Sequence, residues 1–132
     1  MVIKSNKRDF KVNKLKIGTR GSPLALAQAL EVKRKIIQHH KLDDLSVEIV
    51  SISTKGDRVL DRPLTEIGGK GLFTEEIERK LFNHEIDIAV HSMKDMPTEF
   101  PSGLEINTFL KREDFRDSFV SLKYDSINEL PV

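Results

Sequence analysis

The sequence predicts an α/β fold built on a mainly parallel sheet. Short apolar runs alternate with helical patterns in the order strand, helix, strand, long loop, helix, strand. This alternation is typical of parallel strands joined by right-handed helical crossovers. The run Ile86–Val90 is almost uninterrupted in its apolar character, as expected for a strand that is covered on both faces.

The composition indicates a globular domain. The chain has 132 residues, of which 38% are hydrophobic and 33% charged, and a chain of this length buries about two-thirds of its unfolded surface. No apolar run approaches the roughly 20 residues of a membrane span, and the N-terminus lacks the apolar segment of a secretory signal. The sequence has no cysteine, which excludes disulfides and thiolate metal sites within it. We therefore expect a cytoplasmic protein without a metal ion.

Residues 1–13 are predicted to form a basic N-terminal tail. Residues 1–20 carry seven Lys or Arg and one acid, whereas the whole chain has a net charge of +1. A basic arm can bind nucleic acid, but a poorly ordered terminus is the simpler interpretation. The aromatic residues are not interleaved with these basic residues, as a nucleic-acid surface would require. We expect neither a nucleic-acid nor a membrane partner.

The first strand and helix are predicted from their end signals. Leu15–Thr19 reads as a short strand that leads into a turn, and Ser22 followed by Pro23 is typical of a helix N-cap and first position. The helix is expected to run to about His40 with a broad buried face. Two neighbouring stripes would form that face: Ala25, Ala29, Val32 and Ile36, and beside them Leu26, Leu30 and Ile37.

The remaining elements follow from the same patterns. A loop of the length of residues 54–71 is uncommon in a compact domain and is usually functional or disordered; a short turn is expected around Leu60–Ile67. Thr74 is a candidate N-cap for the second helix. The other predicted elements are strands at Val47–Ser53, Leu104–Leu110 and Ser118–Ser121, and a helix that begins near Ser126.

Charged and hydroxyl side chains follow each of the first three strands. The carboxyl ends of parallel strands meet at one edge of a sheet, where ligands of α/β proteins bind. Arginine or lysine beside a helix N-terminus is suited to carboxylates and phosphates. The sequence therefore predicts a site for a small polyanion. Its candidate residues are Arg20 and Ser22 after the first strand, Lys55, Asp57 and Arg58 after the second, and Ser92, Lys94 and Asp95 after the third.

Several of these residues have a second interpretation. Ser22 could serve as an N-cap and nothing more, and Asp57 could equally be a turn former after Gly56. Lys70 lies between glycines, where it could be solvated or could belong to a movable lid. His91 follows a buried residue and is expected to be a satisfied structural histidine and not a catalytic base. The residues alone thus predict an anion-binding α/β domain without selecting a reaction.

Four ordered blocks resemble the porphobilinogen deaminase family, also called hydroxymethylbilane synthases. The blocks are Gly18–Ala29, Gly56–Asp61, Gly68–Phe73 and Ala89–Pro97. The resemblance extends from about Leu15 to the end of the chain. It implies an enzyme of three domains, the first two of which resemble periplasmic binding proteins with helices on both faces of a mainly parallel sheet.

On this pattern the chain is truncated. Residues 14–110 would form the first segment of domain 1, and residues 111–132 the hinge and the start of domain 2. The family's enzyme joins four porphobilinogen molecules head to tail, with release of ammonia, to give hydroxymethylbilane for haem and related tetrapyrroles. It builds on a dipyrromethane primer held by a cysteine. Because this sequence has no cysteine, the fragment is expected to be inactive, whereas the intact enzyme is expected to be an active monomer.

The resemblance also implies roles for individual residues. Asp95 would be the catalytic carboxylate, placed near pyrrole N–H groups, and Lys70 and Phe73 would belong to a mobile segment over the cleft. Asp57 would join the set that binds substrate or cofactor. The residues that would hold acetate and propionate side chains or position the primer are Arg20, Ser22, Gln28, Ser92 and Lys94. The alternative is a non-catalytic domain of the same fold that binds a small anion.

Overall fold

The computed structural model describes residues 2–5, 14–59 and 71–131. Its strands are Val2–Ser5 (β1), Leu15–Arg20 (β2), Val47–Ile52 (β3), Ile88–Val90 (β4) and Leu104–Thr108 (β5). Its helices are Pro23–His40 (α1), Lys55–Arg58 (α2) and Glu75–Phe82 (α3). Short 3₁₀ turns cover Asp44–Ser46, Met93–Asp95 and Ile127–Glu129.

The described strands form one sheet in the order β3-β2-β4-β1-β5. β2 pairs in parallel with both β3 and β4, whereas β1 is antiparallel to β4 and to β5. It follows that β2, β3, β4 and β5 run in one direction and that β1 runs against them. The predicted α/β fold with a mainly parallel sheet is confirmed.

Helices cover both faces of the sheet, as the resemblance implied. Ala89 and Val90 are neighbours in β4, so their side chains point to opposite faces, and each belongs to a different apolar cluster. The cluster that includes α1 contains Ile17, Ala29, Val32, Val47 and Val90. The cluster that includes α3 contains Ile52, Ile77, Leu81, Ile86, Ala89 and Leu104.

The start of α1 is as predicted. Pro23 is its first residue, and the N-cap Ser22 accepts a hydrogen bond from the Ala25 backbone N–H at 3.3 Å. Its buried face is narrower than the sequence indicates, because Leu30 is 48% exposed. Leu30 lies about 100° round the helix from the fully buried Ala29, whereas Ile36 and Ile37, one from each predicted stripe, both pack against the cluster that contains Ala29.

The N-terminus differs from the prediction. Residues 1–13 were expected to form a tail, but Val2–Ser5 lie in the sheet between β4 and β5, with Ile3 opposite Ala89 and Ile106. The tail prediction therefore does not hold for these four residues. Insertion into a gap between two strands depends on backbone partners far along the chain, which a basic local composition does not reveal. Residues 6–13 lie outside the described part.

Other predicted elements agree in part. The strand predicted at Ser118–Ser121 is wrong, because residues 109–126 contain no helix or strand. Ser126 precedes a 3₁₀ turn and not a longer helix. The helix α2 was not predicted, and the turn expected around Leu60–Ile67 lies outside the described residues. No helix in the described ranges is both long and apolar enough to cross a bilayer.

Candidate functional site

Arg20 connects three strand ends. It is the last residue of β2, and its Nε and Nη2 donate to the same carboxylate oxygen, Oδ1 of Asp57, at 3.0 and 2.5 Å. Asp57 follows β3. The Nη1 of Arg20 donates to Oδ2 of Asp95, which follows β4, at 3.3 Å. One guanidinium thus bridges two carboxylates that lie 37 and 75 residues further along the chain.

An aromatic ring packs against the same guanidinium. The Cζ atom of Arg20 lies 3.9 Å from the centroid of the Phe73 ring, within the range of a cation–π contact. The ring is also tightly packed against α2, since a Cβ atom on Gly56 would lie 2.2 Å from Cε1 of Phe73. Glycine at position 56 therefore allows the ring to reach Arg20.

Asp57 is held on its other side by Thr54. Its Oδ2 accepts from the Thr54 backbone N–H at 3.1 Å and from the Thr54 hydroxyl at 2.7 Å. Partial burial acts to raise the pKa of Asp57, but the hydrogen bonds from Arg20 and Thr54 outweigh it and lower that pKa below its usual 3.8. Asp57 therefore remains a carboxylate at neutral pH.

His91 directly follows β4 and is buried. It is 4% exposed, and its buried Nε2 has no hydrogen-bond partner among the residues that the structure describes. Burial lowers the pKa of His91 to about 4, with the Asp95 carboxylate opposing that shift and Arg20 adding to it. The imidazole is consequently neutral at pH 7. Within the described residues, the expectation of a satisfied structural histidine does not hold for Nε2, which finds no hydrogen-bond partner there.

Ser92 joins the end of β4 to α1. Its hydroxyl donates to Oε1 of Gln28 at 2.9 Å. Lys94 and Asp95 then lie in the 3₁₀ turn Met93–Asp95. Lys94 is exposed and forms no ion pair with the residues that the structure describes.

A cavity of about 140 Å³ lies among these strand ends. Two cations, two hydroxyls and the first turn of α1 contribute to its wall, which suits a carboxylate group. The acid Asp95 lies beside them. The lining residues are Arg20, Ser22, Leu24, Ala25, Val90, His91, Ser92, Lys94 and Asp95.

Two predicted cations lie elsewhere. Lys55 and Arg58 line a separate cavity of about 670 Å³ beside α3. Arg58 donates to the backbone carbonyl of Ser53 at 3.0 Å and pairs with Glu76 at 2.6 Å. Consecutive residues of a helix point about 100° apart, so Asp57 and Arg58 face different sides of α2. The sequence grouped them because α2 was not predicted.

The structure therefore brings most of the predicted site residues together. Arg20, Asp57, Phe73 and Asp95 are in contact through Arg20, and Ser22, Gln28, Ser92 and Lys94 surround the neighbouring cavity or support its wall. Lys70 lies outside the described residues. Sequence reasoning missed Thr54 and the role of Gly56. The available signal was the Thr-x-x-Asp pattern of a capping box at residues 54–57.

Comparison with known proteins identifies the family. A family model described as "Porphobilinogen deaminase, dipyromethane cofactor binding domain" matches residues 15–132. The chain belongs to the porphobilinogen deaminase family. A curated relative, the porphobilinogen deaminase of Paracoccus denitrificans (strain Pd 1222), is 62% identical over 119 residues, which are 90% of this chain. The chain spans 38% of that relative's length.

The family match confirms the resemblance and includes the strand ends around Arg20. The matched range begins at Leu15, the first residue of β2, and includes Asp57, Phe73 and Asp95, which contact Arg20. The strand β1 lies outside it. In the described ranges, no group of three or more His, Asp or Glu side chains is placed to hold a metal ion.

Proposed function

We propose that this chain is the portion of a hydroxymethylbilane synthase that carries the catalytic carboxylate. The intact enzyme would be a transferase that joins four porphobilinogen molecules head to tail, releases ammonia at each step and supplies hydroxymethylbilane for haem and other tetrapyrroles. The carrying observation is Asp95, an acid that lines the same cavity as two cations and two hydroxyls. Family membership supports the assignment.

An acid at this position suits the chemistry of porphobilinogen. Cleavage of the aminomethyl C–N bond releases ammonia and leaves a cationic azafulvene, which the free α-carbon of the growing chain attacks. The ring whose α-carbon attacked then loses the proton from that carbon. Asp95 would stabilise both cations and accept or relay that proton. At about 4 Å and an effective dielectric constant of about 20, one such interaction is worth about 4 kcal/mol, or about a thousandfold in rate.

The cavity's donors would bind the carboxylates of the substrate. Porphobilinogen carries an acetate and a propionate, and Lys94 is a cation without an ion-pair partner in the described part of the chain. Ser22 and Ser92 would add hydroxyl contacts, with Gln28 fixing the orientation of Ser92. Arg20 would add charge to the same wall. Phe73, together with Lys70, would belong to the segment that covers the bound substrate.

The donor set also fits the acidic side chains of a dipyrromethane. Arg20, Lys94 and the two serines could hold its carboxylates as they would hold those of the substrate. When bound, that group would supply the pyrrole α-carbon on which the chain grows. No residue here could form its thioether link, because the sequence has no cysteine. We accordingly propose that the 132-residue chain does not complete the reaction by itself.

The cellular location, the oligomeric state and the partners are also proposed from the sequence. We infer a cytoplasmic enzyme that is monomeric when intact and that has no nucleic-acid or membrane partner. These inferences follow from the composition and from the family.

The experiment is to replace Asp95 with Asn in the full-length enzyme that contains this sequence, and to measure turnover and dipyrromethane content. Turnover should fall about a thousandfold while the primer remains loaded. The matched control is Asp44→Asn, which breaks an exposed ion pair with Lys33 and should leave turnover unchanged. Near-normal turnover of a loaded Asp95→Asn enzyme would refute the catalytic role.

Lys94→Ala tests the binding role of the cavity. We expect poor primer loading or a raised KM for porphobilinogen, because the substrate loses a cationic partner. Unchanged loading and kinetics would exclude Lys94 as a carboxylate contact.

The cations and hydroxyls around the cavity also favour a second candidate, a domain that binds a small anion without reaction. The two functions predict opposite results for Asp95→Asn. An anion-binding domain should bind a dicarboxylate more tightly when this neighbouring negative charge is removed, whereas an enzyme should lose turnover.

A further inference from the structure

The hydrogen bonds of Asp57 are those of a residue that orients a neighbouring side chain, here Arg20. Its Oδ1 accepts two hydrogen bonds from Arg20, and its Oδ2 accepts two from Thr54. Both oxygens are therefore engaged within the protein. A carboxylate in this state is poorly placed to contact an acidic ligand, which it would also repel.

The geometry of Arg20 shows what this arrangement controls. A guanidinium presents two adjacent donors as a fork, which pairs best with one carboxylate through two parallel hydrogen bonds. Asp57 occupies the Nε and Nη2 edge. Asp95 receives a single hydrogen bond from Nη1, at 3.3 Å, and the Phe73 ring packs against the guanidinium.

We propose that Asp57 is a positioning residue that acts through Arg20. By occupying the fork, it prevents Arg20 from turning to bind Asp95 with two hydrogen bonds, and by sharing the positive charge it leaves Asp95 incompletely neutralised. Asp95 thereby keeps the capacity to stabilise a cation of the substrate. This inference rests on the proposed function and assigns Asp57 a different role from the ligand contact that the resemblance implied.

Thr54 fixes Asp57 in turn. Its hydroxyl is buried with the rest of the side chain and donates to Oδ2 at 2.7 Å. An asparagine at position 57 would not replace the carboxylate, because orienting its oxygen toward Arg20 would place its NH₂ group against the Thr54 backbone N–H. The substitution Asp57→Asn therefore weakens the clamp with little change in volume.

The test is a double-mutant cycle in the full-length enzyme with Asp57→Asn and Arg20→Lys. Lysine has no fork to be held, so the effect of Asp57→Asn should largely disappear in the Arg20→Lys background. In the wild-type background, Asp57→Asn should lower kcat about tenfold and change KM by less than about threefold. Asp57→Glu should recover part of kcat, because it restores the charge. Asp44→Asn is the surface control.

A purely structural role for Asp57 predicts a different result. If Asp57 did no more than cap α2, thermal stability would fall equally in both backgrounds and the losses in kcat would multiply. Multiplying losses, or wild-type kcat in Asp57→Asn, would overturn the proposal.

A second variant, Thr54→Val, tests the proposal if the Asp57→Asn enzyme does not fold. Thr54→Val has nearly the same shape and removes the hydroxyl that anchors Oδ2, so it should lower kcat in the same direction by a smaller factor. An unchanged kcat in that variant would also overturn the proposal. If the wild-type enzyme makes no hydroxymethylbilane, the proposed function fails; if Asp95→Asn abolishes turnover while Asp57→Asn does not reduce it, only the role of Asp57 fails.

Discussion

The ends of β3 and β4 both present a carboxylate to Arg20, but they differ in how completely their polar groups are paired. After β3, Asp57 accepts four hydrogen bonds from Arg20 and Thr54. After β4, Asp95 accepts one hydrogen bond from Arg20 at 3.3 Å, and in the described part of the chain Nε2 of the nearby buried His91 has no partner. The carboxylate after β3 therefore has both oxygens hydrogen-bonded within the protein, whereas the polar groups after β4 are only partly paired.

This difference indicates that Asp57 orients a neighbouring side chain, whereas Asp95 can interact with a ligand. A saturated carboxylate is fixed and its charge is compensated, so it can orient Arg20. A carboxylate with unused capacity can respond to charge that appears on a ligand. Unpaired buried polar groups cost stability, and leaving them at the β4 end is consistent with a site whose arrangement serves chemistry more than folding.

The largest effect on folding stability is expected from replacing His91, the buried imidazole at the β4 end, and it should appear in the pH dependence of the free energy of unfolding. The pKa of His91 is about 4 in the fold, compared with about 6.5 unfolded. The unfolded chain therefore binds the extra proton first, and stability should fall as the pH drops from about 7 to about 4, by about 3 kcal/mol in total. In His91→Leu this part of the pH dependence should be absent.

Urea unfolding of the chain at a series of pH values measures this difference. The control is His40→Gln, since His40 is exposed at the end of α1 and its loss should leave the curve unchanged. The lowered pKa of Asp57 adds a loss of stability that begins only below about its usual 3.8. A His91→Leu curve that kept the full slope between pH 7 and 4 would contradict the unpaired-histidine account.

A medium effect on stability is expected from adding a side chain at Gly56, in the helix that follows β3. In Gly56→Ala, the new Cβ would lie 2.2 Å from the Phe73 ring, so the ring must move away from Arg20. Overpacking of this kind costs about 2 kcal/mol, less a fraction regained from the better helix propensity of alanine. Denaturant unfolding should show a lower free energy of unfolding than in the parent chain.

A compensating substitution checks the cause. Phe73→Leu shortens the neighbour, and in that background Gly56→Ala should be tolerated with a much smaller loss. If the two losses were simply additive, contact with the ring would not be the reason for glycine at position 56.

The smallest effect is expected at the link between β4 and α1. Ser92→Ala removes the hydroxyl that donates to Gln28 at 2.9 Å, and one such partly buried hydrogen bond is worth about 1 kcal/mol. Unfolding of Ser92→Ala and of the double variant with Gln28→Ala should give equal stabilities if the bond is the whole effect. A further large loss in the double variant would show that Gln28 stabilises the fold in another way.

The sequence by itself determined the elements whose signals are local. The apolar run before His91, the Ser22–Pro23 start of α1 and the alternation of strands and helices were sufficient for the α/β sheet. The blocks around Arg20 and Asp95 were sufficient for the family. Each of these signals lies within a few neighbouring residues, where side-chain spacing and capping set the backbone conformation.

The tertiary structure decided which side chains meet. The Arg20 contacts with Asp57 and Asp95 span 37 and 75 residues, and the insertion of Val2–Ser5 beside β4 joins positions almost ninety residues apart, as in the pairing of Val2 with Val90. The capping-box pattern at residues 54–57 could have located α2, but that Asp57 faces Arg20 and Arg58 does not depends on how β2 and β3 are brought together. Such contacts depend on how distant strands are brought together, so they determine the geometry of the site while leaving little trace in any short stretch of sequence.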